Sequence, residues 1–319
     1  VTHKIDILLA TLNGAPFLQE QLVSIQQQSY KAWRLLVGDD GSTDFTLQIL
    51  RNLARQAPET ILLESENPLP LGACQNFSFL LEKSTSAYVM FCDQDDVWLP
   101  DKISSTFAAM KSAERQYGVS TPLLVHTDLQ VVDKQLQTIA PSFFQYQQIS
   151  PNLDCQLHRL LPQNAVTGCT IMANRPLVNL ATPIPKEAMM HDWWLALVAS
   201  VFGHIIYINK ATIFYRQHGM NSVGSTRWGL KRMIMKLLTP NQTKNMILRS
   251  IHQANVFLNR YSKQIPFPQR ALIEAYATLP YMSKTKRIQT IFKYRFFYHG
   301  TVRTYGFLAN LLLITRAGK

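Results

Sequence analysis

Three carboxylates, Asp93, Asp95 and Asp96, fall within four residues, directly after the apolar run Tyr88-Val89-Met90-Phe91-Cys92. Acids this close repel one another, and burying them uncompensated is costly. A positive partner belongs there. Hard oxygen donors on a short loop suit Mg²⁺ or Mn²⁺, usually with substrate phosphates completing the shell. The plain alternative is a solvated acidic turn that caps the next helix. Further polar clusters stand at Thr11-Leu12-Asn13-Gly14, Asp39-Asp40-Gly41-Ser42-Thr43-Asp44, His191-Asp192-Trp193-Trp194 and Arg216-Gln217-His218-Gly219. Asp192 opens a helical stretch, where the helix dipole keeps a carboxylate ionised. Such a group can take a proton as a general base, or it can simply be an N-cap.

The elements that must carry these groups follow from the pattern. An apolar run ending in acids reads as a buried parallel strand, and open α/β sheets bind ligands beyond the carboxyl ends of their strands. Strands are predicted at Ile5–Ala10, Trp33–Gly38, Thr60–Glu64 and Ala87–Cys92. Helices alternate with them: Pro16 to about Gln28, a second capped by Ser42 or Thr43 and running to about Gln56, Gly72–Ser84, and Pro100 to about Tyr117. That order predicts an α/β fold with a mostly parallel sheet and helices on both faces. Regularity then loosens. Strands are expected at Leu123–His126, Leu129–Val132, Ala165–Ala173, Ile205–Ile208 and Thr212–Tyr215. A loop is expected over Ser142–Pro151, with helices over Leu153–Leu161 and from Met189 to about Phe202.

The chain of 319 residues is long enough for one large domain and an appendage; 47% hydrophobic and 16% charged residues mark it as globular. Cys74, Cys92, Cys155 and Cys169 show no paired spacing, which argues for reduced thiols and against a disulfide scaffold or a zinc site. The N-terminal stretch carries no signal-peptide pattern. The net charge of +12 hides a division: residues 1–224 carry −4, and residues 225–319 carry +16 with Glu274 as their one acid. A boundary near Ser225 follows.

In this order, the motifs at 11–14, 39–44, 93–96 and 191–194 resemble those of the family-two glycosyltransferases, which have the nucleotide-sugar-binding GT-A fold. The resemblance covers about residues 4–220. The wording Cys92-Asp93-Gln94-Asp95-Asp96-Val97-Trp98, Val166-Thr167-Gly168-Cys169-Thr170 and Tyr215-Arg216-Gln217-His218-Gly219 looks like the rhamnosyltransferase branch. The resemblance implies inverting transfer of a sugar from a nucleotide-sugar to a hydroxyl, with deoxythymidine-diphosphate rhamnose as favoured donor and a uridine-diphosphate sugar as second choice. It implies that Thr11, Asn13, Asp39 and Asp40 hold the nucleotide, that Asp93 and Asp95 meet ribose and metal, and that Asp192 is the base. Arg216 and His218 match a late Arg-x-His facing the diphosphate or the metal. His191 departs from the usual acid before the base. Gly168, Trp193 and Trp194 are candidates for the acceptor side; the tryptophans serve equally as packing residues, and Gly168 can merely relieve crowding.

Beyond Ser225 the pattern is helical: Trp228–Leu238, Thr243–Tyr261, Pro268–Leu279, Thr285–Tyr298 and Val302–Ile314. Basic residues (Lys231, Arg232 and Lys236, then Lys284, Lys286, Arg287, Lys293 and Arg295) interleave with aliphatic and aromatic ones. This suits an anionic membrane surface, while the apolar stretch Tyr305–Ile314 is far too short to span a bilayer. A cytoplasmic enzyme lying on the inner face of a bacterial membrane, adding sugar to a lipid-linked glycan in surface polysaccharide synthesis, is the resulting expectation. Two rivals stand beside it. The tail's aromatics can pack on the catalytic domain or on a second subunit, leaving a homo-oligomer open. The chain can also be a non-catalytic scaffold docking through its tail. No nucleic-acid-binding motif accompanies the positive charge.

Overall fold

The computed structural model describes residues 4–63, 70–218 and 240–314. Four parallel strands come first in the chain: β1 (Ile5–Thr11), β2 (Trp33–Asp39), β3 (Thr60–Leu63) and β4 (Tyr88–Asp93). They alternate with α1 (Ala15–Gln26), α2 (Thr46–Gln56) and α3 (Ala73–Lys83). The short β5 (Val97–Trp98) and the helix α4 (Lys102–Tyr117) follow. β6 (Leu123–Val132), β7 (Thr138–Ala140), β8 (Met172–Asn174) and β9 (His204–Arg216) complete a nine-stranded sheet ordered β3-β2-β1-β4-β8-β6-β9-β5, with β7 on β6. The parallel expectation holds from β3 to β4. Beyond β4 the sheet is mixed, because β8 runs antiparallel to both β4 and β6.

Strand side chains alternate between the faces. Leu8, Val89, Phe91, Leu124 and Ala173 join one apolar cluster with α3, α8 (Arg175–Ala181) and α9 (His191–Phe202). Ile7, Leu9, Met90, Cys92 and Val125 join the other, with α1 and α4. The two strands expected over 123–132 are one, and so are the two expected over 205–215. Residues 165–173 are not a strand: a 3₁₀ turn over Gly168–Thr170 precedes the short β8. Apolar runs alone do not distinguish a buried turn from a strand. The loop expected over 142–151 holds α5 (Phe143–Gln147), and the helix expected over 153–161 is two single turns, α6 (Pro151–Asp154) and α7 (Leu157–Leu160). Neither Ser42 nor Thr43 caps α2: Ser42 Oγ donates to Asp39, and Thr43 N donates to Asn13.

Among the described residues beyond 239 stand four further helices: α10 (Pro240–Arg260), α11 (Phe267–Ala277), α12 (Lys284–Tyr294) and α13 (Thr301–Leu313). The helix expected over Trp228–Leu238, with Lys231, Arg232 and Lys236, lies outside the described residues, as does Glu64. Ile247, Phe257, Tyr276, Phe296 and Phe307 join the same cluster as Trp194 on α9. Trp194 meets the rings of Phe257 at 5.4 Å and Tyr261 at 6.1 Å. Much of the tail's aromatic content is therefore internal packing. Arg287 is buried too, and its guanidinium donates to the carbonyls of Leu279, Pro280, Leu311 and Ile314. It ties the last helices together instead of facing a surface.

Candidate active site

The carboxyl ends of β1, β2 and β4 lie side by side, with Thr11 opposite Asp39 and Ala10 opposite Asp93. Their loops are cross-linked. Thr11 Oγ1 donates to Asp39 Oδ2 at 2.7 Å, and Asp39 also accepts from the N–H of Ser42. Asn13 has φ 50°, a left-handed conformation that asparagine tolerates. Its side-chain oxygen accepts from Thr43 N at 2.9 Å, and its N–H donates to Ser42 Oγ at 2.8 Å. Asp40 turns away and accepts from the N–H groups of Leu71 and Gly72, at 2.6 and 2.8 Å, fixing the entry to α3. Thr11, Asn13 and Asp39 thus form one cross-linked rim, while the Asp40 carboxylate is taken up by the entry to α3.

Sequence reasoning missed Gln94. Its amide accepts from Leu12 N at 2.8 Å and donates to Leu12 O at 2.9 Å, joining the β1 loop to the acidic loop. A Cβ on Gly14 would come within 2.3 Å of Gln94 Oε1. The glycine after Asn13 was the available signal: no larger residue leaves room for that clamp.

The acidic loop splits its carboxylates. Asp95 Oδ2 meets His218 Nε2 at 2.8 Å, and the His218 ring stacks on Phe17 with centroids 4.4 Å apart. Arg216 is buried; its guanidinium donates to Asp95 O and Lys134 O, pairs with Glu20, and lies 4.9 Å over the Phe17 ring. It braces the acidic loop from behind. Asp93 and Asp96 turn inward, and their oxygens and the Cys169 sulfur lie within 4.8 Å of one another. Burial pushes the Asp93 carboxyl up to about 7, with the charges of Asp95 and Asp192 adding to it. Burial, Asp95 and Asp93 raise Asp96 strongly. Burial also raises the Cys169 thiol, which stays protonated and hydrogen-bonds to the two acids. Beneath them Lys102 Nζ is fully buried, 4.6 Å over the Trp98 ring, and burial brings it down to about 8. Asp95 and His218 offer an oxygen and a nitrogen of the kind Mg²⁺ or Mn²⁺ takes, while the donor atoms that lie within 4.8 Å of one another among the described residues are those of Asp93, Asp96 and Cys169; a cation beside these acids would relieve the mutual repulsion.

Asp192 stands in the first turn of α9. Its Oδ2 accepts from Gly168 N at 3.0 Å and its Oδ1 from Trp193 N at 2.6 Å. Burial pushes the carboxyl up to about 7 in spite of these N–H groups. Its charge reaches both Asp93 and Cys74. Gly168 N bonds Asp192, and the sulfur of the next residue, Cys169, lies within 4.8 Å of an Asp93 oxygen, so the two acids are near neighbours. A Cβ on Gly168 would sit 2.8 Å from His191 Nε2 and 3.5 Å from Asp192 Cβ, so the glycine lets the turn approach the carboxylate. His191 is buried between the rings of Phe77 (4.1 Å) and Phe91 (4.9 Å), and burial brings it down to about 3. It is a neutral packing residue. The acceptor-side expectation for the tryptophans is corrected by the same burial. Trp194 Nε1 donates to Ala181 O and Trp193 Nε1 to Leu160 O, leaving no ring face open for a sugar.

A sequence profile described as Glycosyl transferase family 2 matches residues 6–173. The chain belongs to this family. It is 30% identical over 232 residues to the dTDP-rhamnosyl transferase RfbG of Shigella flexneri, covering 68% of this chain and 74% of that one. Among solved structures, the mannosyltransferase PcManGT of Pyrobaculum calidifontis, in complex with GDP-Man and Mn²⁺, superposes with a TM-score of 0.57 over 98% of this chain and 86% of its own, at 14% identity. TarS of S. aureus superposes with a TM-score of 0.52 at 16% identity; the match takes in 91% of this chain but only 48% of the TarS chain. At such identities the likeness establishes the fold, which is the GT-A fold of family-two enzymes.

Proposed function

We propose that the protein is a metal-dependent inverting glycosyltransferase with Asp192 as its base. The observation that carries this reading is the juxtaposition of the acids: Asp192 is held by two backbone N–H groups at a helix start, one of them from Gly168, and the sulfur of the next residue, Cys169, lies within 4.8 Å of an Asp93 oxygen. A donor diphosphate lies against Asp93 and Asp95, and its nucleoside lies on the rim of Thr11, Asn13 and Asp39. Bound there, Mg²⁺ or Mn²⁺ supplies charge stabilisation to the departing diphosphate. Asp192 takes the proton of the acceptor hydroxyl as it attacks the face opposite the leaving group, which gives inversion by single displacement. The dTDP-rhamnosyl relative supports deoxythymidine-diphosphate rhamnose as donor, ahead of a uridine-diphosphate sugar. The test is transfer from a panel of nucleotide-sugars to a lipid-linked or synthetic acceptor, with Asp192→Asn and Asp95→Ala alongside. Full activity in both variants would falsify the mechanism.

The acceptor we propose is a lipid-linked glycan, met at the inner face of a bacterial membrane. Support comes from the outer side of α12, where Lys284, Ile288 and Phe292 form one exposed stripe flanked by exposed Lys286, Lys293 and Arg295. On α13, Val302, Tyr305 and Leu313 are exposed as well. Basic residues beside apolar ones are the composition of an interfacial surface. No helix among the described residues is long and apolar enough to cross a membrane. Sedimentation with anionic vesicles checks this: the protein goes down at low salt and is released as salt rises. Because α10–α13 pack into the main core, the variants to compare are Lys284→Glu and Phe292→Asp, not a truncation. Equal sedimentation of all three proteins removes the membrane.

A further inference from the structure

One route from the C-terminal helices toward the candidate base runs through a buried side chain, His299, in the link between α12 and α13. Its backbone N–H donates to Gln163 Oε1 at 3.0 Å. Its Nε2 lies 3.0 Å from Asn164 O, and its Nδ1 lies 3.1 Å from Asp154 Oδ2. The Asn164 carbonyl can only accept, so Nε2 carries the hydrogen of that bond. Arg159 closes the cluster, donating to Asp154 Oδ1 at 3.0 Å and to Tyr298 O at 3.1 Å. Asn164 in turn opens a tight turn: its amide accepts from Val166 N at 3.0 Å and donates to Val166 O at 2.7 Å. Two residues later, Gly168 N donates to Asp192 Oδ2. The route from tail to base is therefore short: one imidazole, one asparagine turn and one glycine N–H.

We propose that His299 is a positioning residue for Asp192, fixing the 164–168 turn and through it the N–H that aims the carboxylate. This rests on the transfer reading above. An N–H donated to a carboxylate favours its charged form, and a misplacement of about 1 Å can cost a reaction about 100-fold. His299→Leu is expected to lower kcat about 10- to 100-fold. The acid limb of its pH profile moves to higher pH, because a loosened Gly168 N–H no longer holds the Asp192 carboxyl down. Donor KM stays as it was, and so does the thermal shift produced by dTDP or UDP with Mn²⁺, because the nucleotide rim is untouched. Asn164→Ala breaks the turn from the other side without touching the tail and gives the same signature; it decides the matter if His299→Leu does not fold. Tyr261→Phe removes another bond from tail to body, Tyr261 Oη to Leu180 O at 2.8 Å. It lowers stability but leaves kcat and the pH profile in place.

Unchanged kcat and pH profile in His299→Leu and Asn164→Ala, with an active wild-type protein, overturn the inference alone. An equal loss in Tyr261→Phe also overturns it, since general loosening would then explain everything. A wild-type protein that transfers nothing from any donor brings down the transfer reading, and this inference with it.

Discussion

Two carboxylates, the buried Asp6 and the half-buried Asp93, sit at opposite ends of paired strands and are treated in opposite ways. Asp6, near the start of β1, is wholly buried. It accepts from Arg34 Nε at 2.8 Å, Ser84 Oγ at 2.8 Å, Ser86 Oγ at 2.6 Å and the N–H groups of Thr85 and Ser86. Burial alone would push its pKa up, but the bonds from Arg34, Ser86 and Ser84 outweigh it and bring the carboxyl down to about 2. Asp93, at the far end of β4, is pushed up to about 7 by burial and by the neighbouring acids Asp95 and Asp192. The amino edge of the sheet thus neutralises its charge internally, and the carboxyl edge leaves charge for something else to neutralise. Strongly shifted groups of the second kind cluster at functional sites.

The sharpest way to break this contrast is at the base. Asp192→Asn keeps the shape and removes the proton acceptor, so transfer is expected to fall about 10²- to 10⁴-fold, with nucleotide binding by thermal shift retained. Transfer by the wild-type protein should climb as pH rises through about 7, as Asp192 ionises. An Asp192→Asn enzyme that keeps its rate makes both edges structural. At the other edge, Asp6→Asn removes one partner of a buried ion pair and should cost about 3–5 kcal/mol of stability, read by urea denaturation. Its carboxyl is held below the ordinary 3.8, so its contribution is present above pH ~4 and fades as pH falls toward about 2.

The acidic loop and the Asp192 helix were legible in the sequence because each sits where an apolar pattern stops at charge. What lay hidden was set by contacts distant in sequence. Nothing near Asp40 says that its carboxylate ties down Leu71 and Gly72, and nothing near Arg216 says that it pairs with Glu20. The stretch from Ala165 to Ala173 read as a strand because it is apolar; it is a turn, because Gly168 must come close to His191 and Asp192. Trp193 and Trp194 read equally as packing residues or as an acceptor face; α10 covers Trp194 with Phe257 and Tyr261, and Trp193 is buried with its Nε1 on Leu160 O. A helix of alternating basic and aromatic residues does not reveal which of its faces points inward. Arg287, expected on the membrane side, is consequently the most deeply bound cation of the tail's last helices.

A smaller effect sharpens the contrast through pH. The folded pKa of Asp93, about 7, lies above its ordinary 3.8. Folding therefore takes up a proton between those values, and the associated stability is full below pH ~4 and lost as pH rises through about 7. Asp93→Asn removes a charge that the fold dislikes. It should raise Tm at pH 8 by about 2–4 °C, leave it little changed at pH 4, and abolish transfer. Added Mn²⁺ should raise the Tm of the wild-type protein at pH 8 and do less for the variant. A variant less stable than the wild type at pH 8 would mean that Asp93 is already compensated within the chain, as Asp6 is.

The mildest test belongs to the amino edge. Ser84 Oγ donates to Asp6 Oδ2 and accepts from Arg175 Nη2 at 2.9 Å, so Ser84→Ala removes two links of a satisfied network. Asp6 keeps its other donors, and Arg175 keeps the carbonyl of Ser86 at 2.8 Å. The expected cost is about 1–2 kcal/mol, read as a lower urea midpoint with an unchanged slope. Transfer rate and pH profile stay as in the wild type, because this edge lies a full strand length from the acidic loop. A shift in the acid limb of transfer would show instead that the two ends of β1 and β4 are electrostatically coupled. The opposite treatment of Asp6 and Asp93 would then be one charge arrangement spanning the sheet, not two local solutions.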